Sequence, residues 1–237
     1  MDSLASSRQS LQRVAVHIVA RSRVEATGRF SLRITPGGFG TPDMGPDGRR
    51  VRVSGGNLVV ESDAVGAAAV RTMAIHGASL ADLAAFAGVD LSESLDVGHD
   101  TPLLGDASAP IELSADGARE IAAWFAKSAA ILDGLLAALP TGSTPTLARL
   151  WPEHFDVAVE AQAHPARRAN LGGSPGDGFS DEPYLYIGPW TADRPGDAEF
   201  WNAGFGAFRT RNQLTADGAD IVDAGIAFLL DGVRRLA

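Results

Sequence analysis

No cysteine occurs anywhere in the 237 residues. Disulfides, thiolate metal centres, iron–sulfur clusters and cysteine nucleophiles are therefore excluded in one step. Positive charge is also scarce. The 20 Lys and Arg residues face 29 Asp and Glu, the formal net charge is −9, and Lys127 is the only lysine. A surface of that sign repels phosphate backbones, so no nucleic acid is expected as a partner. The early part of the chain has no long apolar run. The most apolar early segment, VAVHIVA (14–20), contains a histidine and lies between Arg13 and Arg21. It is too short to span a bilayer or to form the apolar core of a signal peptide. No membrane association is expected, and the cytoplasm is the expected compartment.

Several catalytic signatures are absent as well. There is no G-x-S-x-G for a serine hydrolase, and His17, His76, His99, His154 and His164 never fall at the spacing of two zinc ligands on a helix. The glycine-rich loop ANLGGSPGDGFSDEP (169–183) lacks a lysine–threonine or lysine–serine pair, has no G-x-G-x-x-G opening a helix, and carries acids that would oppose a phosphate.

What is present is enough apolar material, 45% of residues, for a sizeable core. Residues 10–26 carry Leu11, Val14, Ala15 and Ile18 on one helical stripe, with Gly28 as a stop. RFSLRIT (29–35) alternates as a strand does. PGGFGTPDMGPDG then reads as loop, and RRVRV and NLVVE around SGG read as a hairpin. Residues 62–113 yield little beyond a helix in SLADLAAFAG (79–88). From Ser114, a good N-cap, Ile121, Phe125, Ser128, Leu132, Leu135 and Leu139 recur at helical spacing until Pro140. PTGSTPT (140–146) reads as a linker. After it come a strand over 150–160, a strand in PYLYIGPW (183–190), an aromatic segment FWNAGFGAF (200–208) and a closing helix from Thr215.

This grammar predicts an α+β fold. A mostly antiparallel sheet from the strands at 29–61 and 150–209 is covered by long amphipathic helices at 10–26, 114–139 and 215–236. The chain is expected to be a single integrated domain over 1–237, with a half boundary near 140–148. LSADGA (113–118) and LTADGA (214–219) open the central and the last helix alike. Either an old duplication or two uses of one capping solution accounts for that.

Chemistry concentrates in LWPEHFDVAVE (150–160). On a strand, Trp151, Glu153, Phe155, Val157 and Val159 would share one face, leaving His154, Asp156 and Glu160 on the other. His154 and Asp156 are the candidate catalytic residues, with the aspartate orienting the imidazole as a general base. A solvated strand face carrying a local pair explains the same residues. No metal is expected; were one bound, His154, Asp156, Asp177, Asp181 and Glu182 would be the ligand candidates. Aromatics, only 7% overall, gather in the second half. Tyr184 and Tyr186 share a strand face with Trp190, and with Trp151 they form a candidate stacking wall for a ligand, although core packing would use them equally well. Gly37 and Gly38 permit positive φ or close backbone approach, which a turn or a ligand could require.

TGRFSLRITPGGFGTP (27–42), GGNLVVE (55–61), LWPEHFDVAVE (150–160), RANLGGSPGDGFSDEPYLYIGPW (168–190) and FWNAGFGA (200–207) together resemble a family of uncharacterised proteins common in high-GC Gram-positive bacteria. More distantly they resemble a broader bacterial domain-of-unknown-function family. That resemblance implies one integrated architecture and brings no reaction, cofactor or residue role with it. Two functions of different class follow from the residues. One is a module that binds a small ligand or a protein partner through the aromatic, loop-rich surface of the second half. The other is a hydrolase or isomerase working through His154 and Asp156, with or without the assistance of a metal. Cofactor, ligand and oligomeric state stay unknown at this level.

Overall fold

The computed structural model describes residues 3–63, 69–164 and 167–237. It is an α+β fold with two antiparallel five-stranded sheets. The sequence pattern led to one sheet; the strands instead sort into two, the first ordered β1-β2-β3-β4-β5 and the second β10-β9-β8-β7-β6. Two compact units result. One comprises residues 1–126 with 150–155, the other 127–149 with 156–237, so the chain passes from one unit to the other at 126/127, 149/150 and 155/156.

The first unit opens with α1 (Ser3–Val14), a π-helical segment (Ala15–Ala20) and α2 (Arg21–Thr27). Gly28, at φ 68°, ends the run in the left-handed conformation that glycine adopts without a Cβ clash. The π segment holds His17 in the interior. One ring nitrogen bonds the Pro102 carbonyl at 2.8 Å, and burial pushes the imidazole pKa down, favouring the neutral ring. The strands are β1 (Arg33–Thr35), β2 (Gly38–Gly40), β3 (Arg50–Ser54), β4 (Asn57–Ser62) and β5 (Ala69–Ala74). The expected hairpin is β3–β4, turning at Gly55 and Gly56 with φ of 57° and 83°. Within the segment that was hardest to read, α3 (Leu80–Ala87) is held by a Ser79–Asp82 capping box.

Gly37 and Gly38, candidate ligand-binding positions, lie in a segment expected to be loop but built into the sheet. Gly37 makes the turn between β1 and β2 at φ 78°. A Cβ on Gly38 would sit 2.5 Å from the Val53 carbonyl oxygen. Strand pairing therefore already requires both glycines. The core of this unit centres on Phe39, Phe125 and Phe155, each about 1% exposed or less and meeting edge to face at 5.2 to 6.3 Å.

Helix α4 (Ala115–Ala138) starts as expected, with Ser114 Oγ accepting from the Gly117 amide at 2.9 Å. By length and composition alone it could cross a membrane. Its apolar residues Ile121, Trp124, Phe125, Ile131, Leu132 and Leu135 are nevertheless buried in the protein.

The second unit carries β7 (Asp156–His164), β8 (Arg167–Ser174), β9 (Tyr184–Pro189) and β10 (Ala207–Thr210); β6 (Arg149–Trp151) precedes them. One face of this sheet presents Val157, Val159, Leu171, Leu185 and Ile187, all buried. Against it lies α6 (Ile221–Leu236), which approaches closely because Gly225 and Gly232 leave room for Leu185 and Ile187. The last helix does not begin at Thr215. Thr210 caps a short α5 (Arg211–Leu214), a single 3-10 turn follows, and Asp220 caps α6 through the Val222 and Asp223 amides. LTADGA therefore does not repeat the capping of LSADGA, because Gly218 at φ 75° interrupts the helix there.

Candidate functional site

The stretch 150–160 is not one strand. β6 ends at Trp151, residues 152–155 turn with the Phe155 amide bonded to the Trp151 carbonyl at 2.7 Å, and β7 begins at Asp156. Phe155 takes a left-handed φ of 53°. The turn breaks the two-residue alternation, so His154 and Asp156 do not share a strand face. Pro152 is the sequence signal for this break, since proline cannot donate to a strand ladder.

His154 and Asp156 find separate partners, each within its own unit. His154 Nδ1 lies 2.8 Å from Asp100 Oδ2, and His99 Nε2 approaches the same oxygen at 3.2 Å. Glu153 is 5% exposed, and its Oε1 lies 3.8 Å from His154 Nε2. Oε2 of Glu153 has no hydrogen-bond partner among the described residues, and burial pushes this carboxyl above the usual range. Asp100, the residue that orients His154, comes from the part of the chain least readable as sequence. Trp151 packs on Phe30 at 5.7 Å and takes no part in an aromatic wall.

Asp156 opens β7 and is 6% exposed. Its carboxylate accepts the hydroxyl of Tyr186 from β9. Tyr186 reaches it by lying across β8, where Gly172 pairs with Tyr186 and a Cβ at Gly172 would come within 2.8 Å of the phenol. Two residues along β9, Tyr184 donates to Asp177 Oδ2 at 2.5 Å. Burial, with the neighbouring carboxylates adding to it, pushes both phenols well above their ordinary pKa, so both hydroxyls keep their protons and donate.

Asp177 has a second task. Its Oδ1 accepts the amides of Phe179 and Ser180 at 2.8 and 3.1 Å, shaping the loop that presents Phe179. The Phe179 ring sits 5.9 Å from Tyr184, 5.1 Å from Phe205 and 4.9 Å from Phe208. Phe208 lies opposite Tyr186 in the β9–β10 register, on the same face as both tyrosines. Five rings therefore converge. Phe179 and Phe205 remain 50% and 38% exposed, while Tyr184 is buried beneath them.

Of the other expected wall residues, Trp190 is exposed and donates to Asn170 at 2.9 Å, with the Arg168 guanidinium 5.4 Å from its ring. It shares the sheet face but makes no ring contact with the five-ring cluster among the described residues. Glu182 accepts the Asn212 amide at 3.0 Å, and Asp181 is exposed. No group of three or more His, Asp or Glu side chains among the described residues is arranged to hold a metal ion. His154, Asp156, Asp177, Asp181 and Glu182 thus form no common ligand set.

No family model, curated protein or solved structure matches the chain. Residue roles rest on geometry alone. The site with the most convergent geometry is the aromatic face over the Tyr184–Asp177 and Tyr186–Asp156 hydrogen bonds. Its hydroxyls are locked and its outer rings open to solvent.

Proposed function

We propose that the aromatic face of the second unit binds a small organic cation with an apolar body, and that the protein acts as a ligand-binding module rather than through the His154–Asp156 pair. The observation that carries this reading is the partly exposed ring cluster of Phe179, Phe205 and Phe208 held over two carboxylates, Asp156 and Asp177. Ring faces carry negative quadrupole potential and attract cations. The carboxylates behind them, on a chain of net charge −9, add the same sign. An anionic ligand would meet repulsion from both. The locked Tyr–Asp bonds keep the floor fixed, which lowers the entropic cost of binding.

Calorimetric titration with choline and with 3,3-dimethyl-1-butanol, its uncharged isostere, tests the reading. Choline is expected to bind saturably and at least tenfold more tightly than the alcohol, and Phe179→Ala is expected to weaken it by a similar factor. No saturation with choline, or equal binding by the two compounds, overturns the proposal; so does a Phe179→Ala protein that binds as the parent does.

A further inference from the structure

On the other side of the same unit's sheet lies an open cleft of about 470 Å³ between β10, the turn at 197–200 and α6. That is a size typical of small-molecule sites. On the helix side the lining residues Ala224, Phe228, Asp231 and Arg235 recur at helical spacing, so one flank of α6 forms the wall. The alanines Ala224 and Ala227 leave apolar room that a larger side chain would fill.

The two arginines of the cleft differ in what they have left to offer. Arg235 stacks on Phe200 at 4.4 Å and is paired through Nε with Asp231 at 2.9 Å, so its charge is already matched. Arg209 projects from β10 over Phe228 at 5.6 Å, donates to the Phe208 carbonyl at 3.0 Å and makes no ion pair among the described residues. A guanidinium has five N–H donors in a fixed fork, and stacking holds this one in place without consuming them. Such a group suits a carboxylate.

Across the cleft stand Asp197 and Glu199, joined by a turn in which Asp197 Oδ1 accepts the Glu199 amide at 2.9 Å. Both carboxylates are exposed at the rim. With Asp231 they make three acids against two guanidinium groups. A multiply charged phosphate would face that excess, and a simple amine would face an unmatched Arg209. A ligand carrying both charges a few ångströms apart satisfies each side.

We propose that this cleft binds a small zwitterion, an α-amino acid with a compact aliphatic side chain. Arg209 takes its carboxylate, Asp197 and Glu199 face its ammonium group, and the side chain lies against Ala224, Ala227 and Leu214. The site is independent of the aromatic face.

The test is calorimetry on the full chain with L-leucine, 3-methylbutylamine, which lacks the carboxylate, and 4-methylpentanoate, which lacks the amine. Leucine is expected to saturate the protein and to bind at least tenfold more tightly than either singly charged analogue. Arg209→Met keeps an unbranched chain on Phe228 and is expected to make leucine and 3-methylbutylamine bind alike. Glu199→Gln, a rim change with little bearing on folding, is expected to weaken leucine several-fold and to strengthen 4-methylpentanoate. Phe179→Ala is expected to leave all three unchanged, which separates this site from the aromatic face. Absence of saturation with leucine sinks the proposal. It fails equally if 4-methylpentanoate binds as tightly as leucine, which would mark a plain anion site, or if both cleft variants bind leucine like the parent.

Discussion

The two units use aromatic rings and buried acids in opposite ways. In the first, Phe39, Phe125 and Phe155 are enclosed in an edge-to-face trio, while the buried acid Glu153 receives no side-chain donor among the described residues on its Oε2 and is pushed toward its neutral form by burial. In the second, the Phe179, Phe205 and Phe208 rings cluster at the surface, and the acids Asp156 and Asp177 are tied to tyrosine hydroxyls. Enclosed rings stabilise by removing apolar area from water; rings left half in water forgo part of that gain. Under the proposed function, a surface cluster over tyrosine–carboxylate pairs is kept for what it binds rather than for what it stabilises.

The largest expected effect lies in the enclosed trio. Phe155→Ala is expected to cost about 3 to 5 kcal/mol, read from urea unfolding of the full chain. Phe179→Ala should cost no more than about 1 kcal/mol in the same assay, since half of its ring is already exposed. Equal losses for the two would erase the contrast between the enclosed trio and the surface cluster. Tyr186→Phe comes next, at about 1 to 3 kcal/mol, because it removes a donor from a buried carboxylate.

Glu153 should behave in the reverse sense. Burial raises its native pKa above the ordinary 4.5, so its favourable contribution is complete below 4.5 and is lost as pH rises through the elevated native value. Glu153→Gln is therefore expected to be more stable than the parent at neutral pH, with the gap closing in acid; thermal melts at pH 4 and pH 7 would show it. A gap that widens in acid would mean the carboxylate is stabilising, and the contrast between the acids of the two units would fail. The smallest effect belongs to Asp100→Asn, below about 1 kcal/mol, since the His154–Asp100 pair is largely exposed.

Local features were legible wherever the cause was itself local. Gly28 stops the first helical run, Ser79 and Ser114 cap their helices, and Gly55–Gly56 turns the hairpin. The alternation that put Tyr184 and Tyr186 on one face holds in β9. The π segment within 10–26 and the short β2 were not legible. Helical periodicity cannot separate α from π over six residues, and a three-residue strand rich in glycine carries almost no pattern. The candidate site was legible only in part. The sequence points to both tyrosines and to Asp156, but its spacing pairs Asp156 with His154, and nothing in it marks Phe179. The double glycine in NLGGS was the available clue, because glycine inside a strand marks a place where another group passes closely.

By itself the sequence determined the α+β class, the capped helices and the acidic, cysteine-free chemistry available to this protein, because each depends on composition or on neighbours a few residues apart. Tertiary structure alone decided that His154 meets Asp100, that Tyr186 crosses Gly172 to reach Asp156, and that Arg209 lines a cleft while making no ion pair among the described residues. Those meetings depend on strand register and on turns such as 152–155, where a one-residue change reverses the face that every following side chain takes.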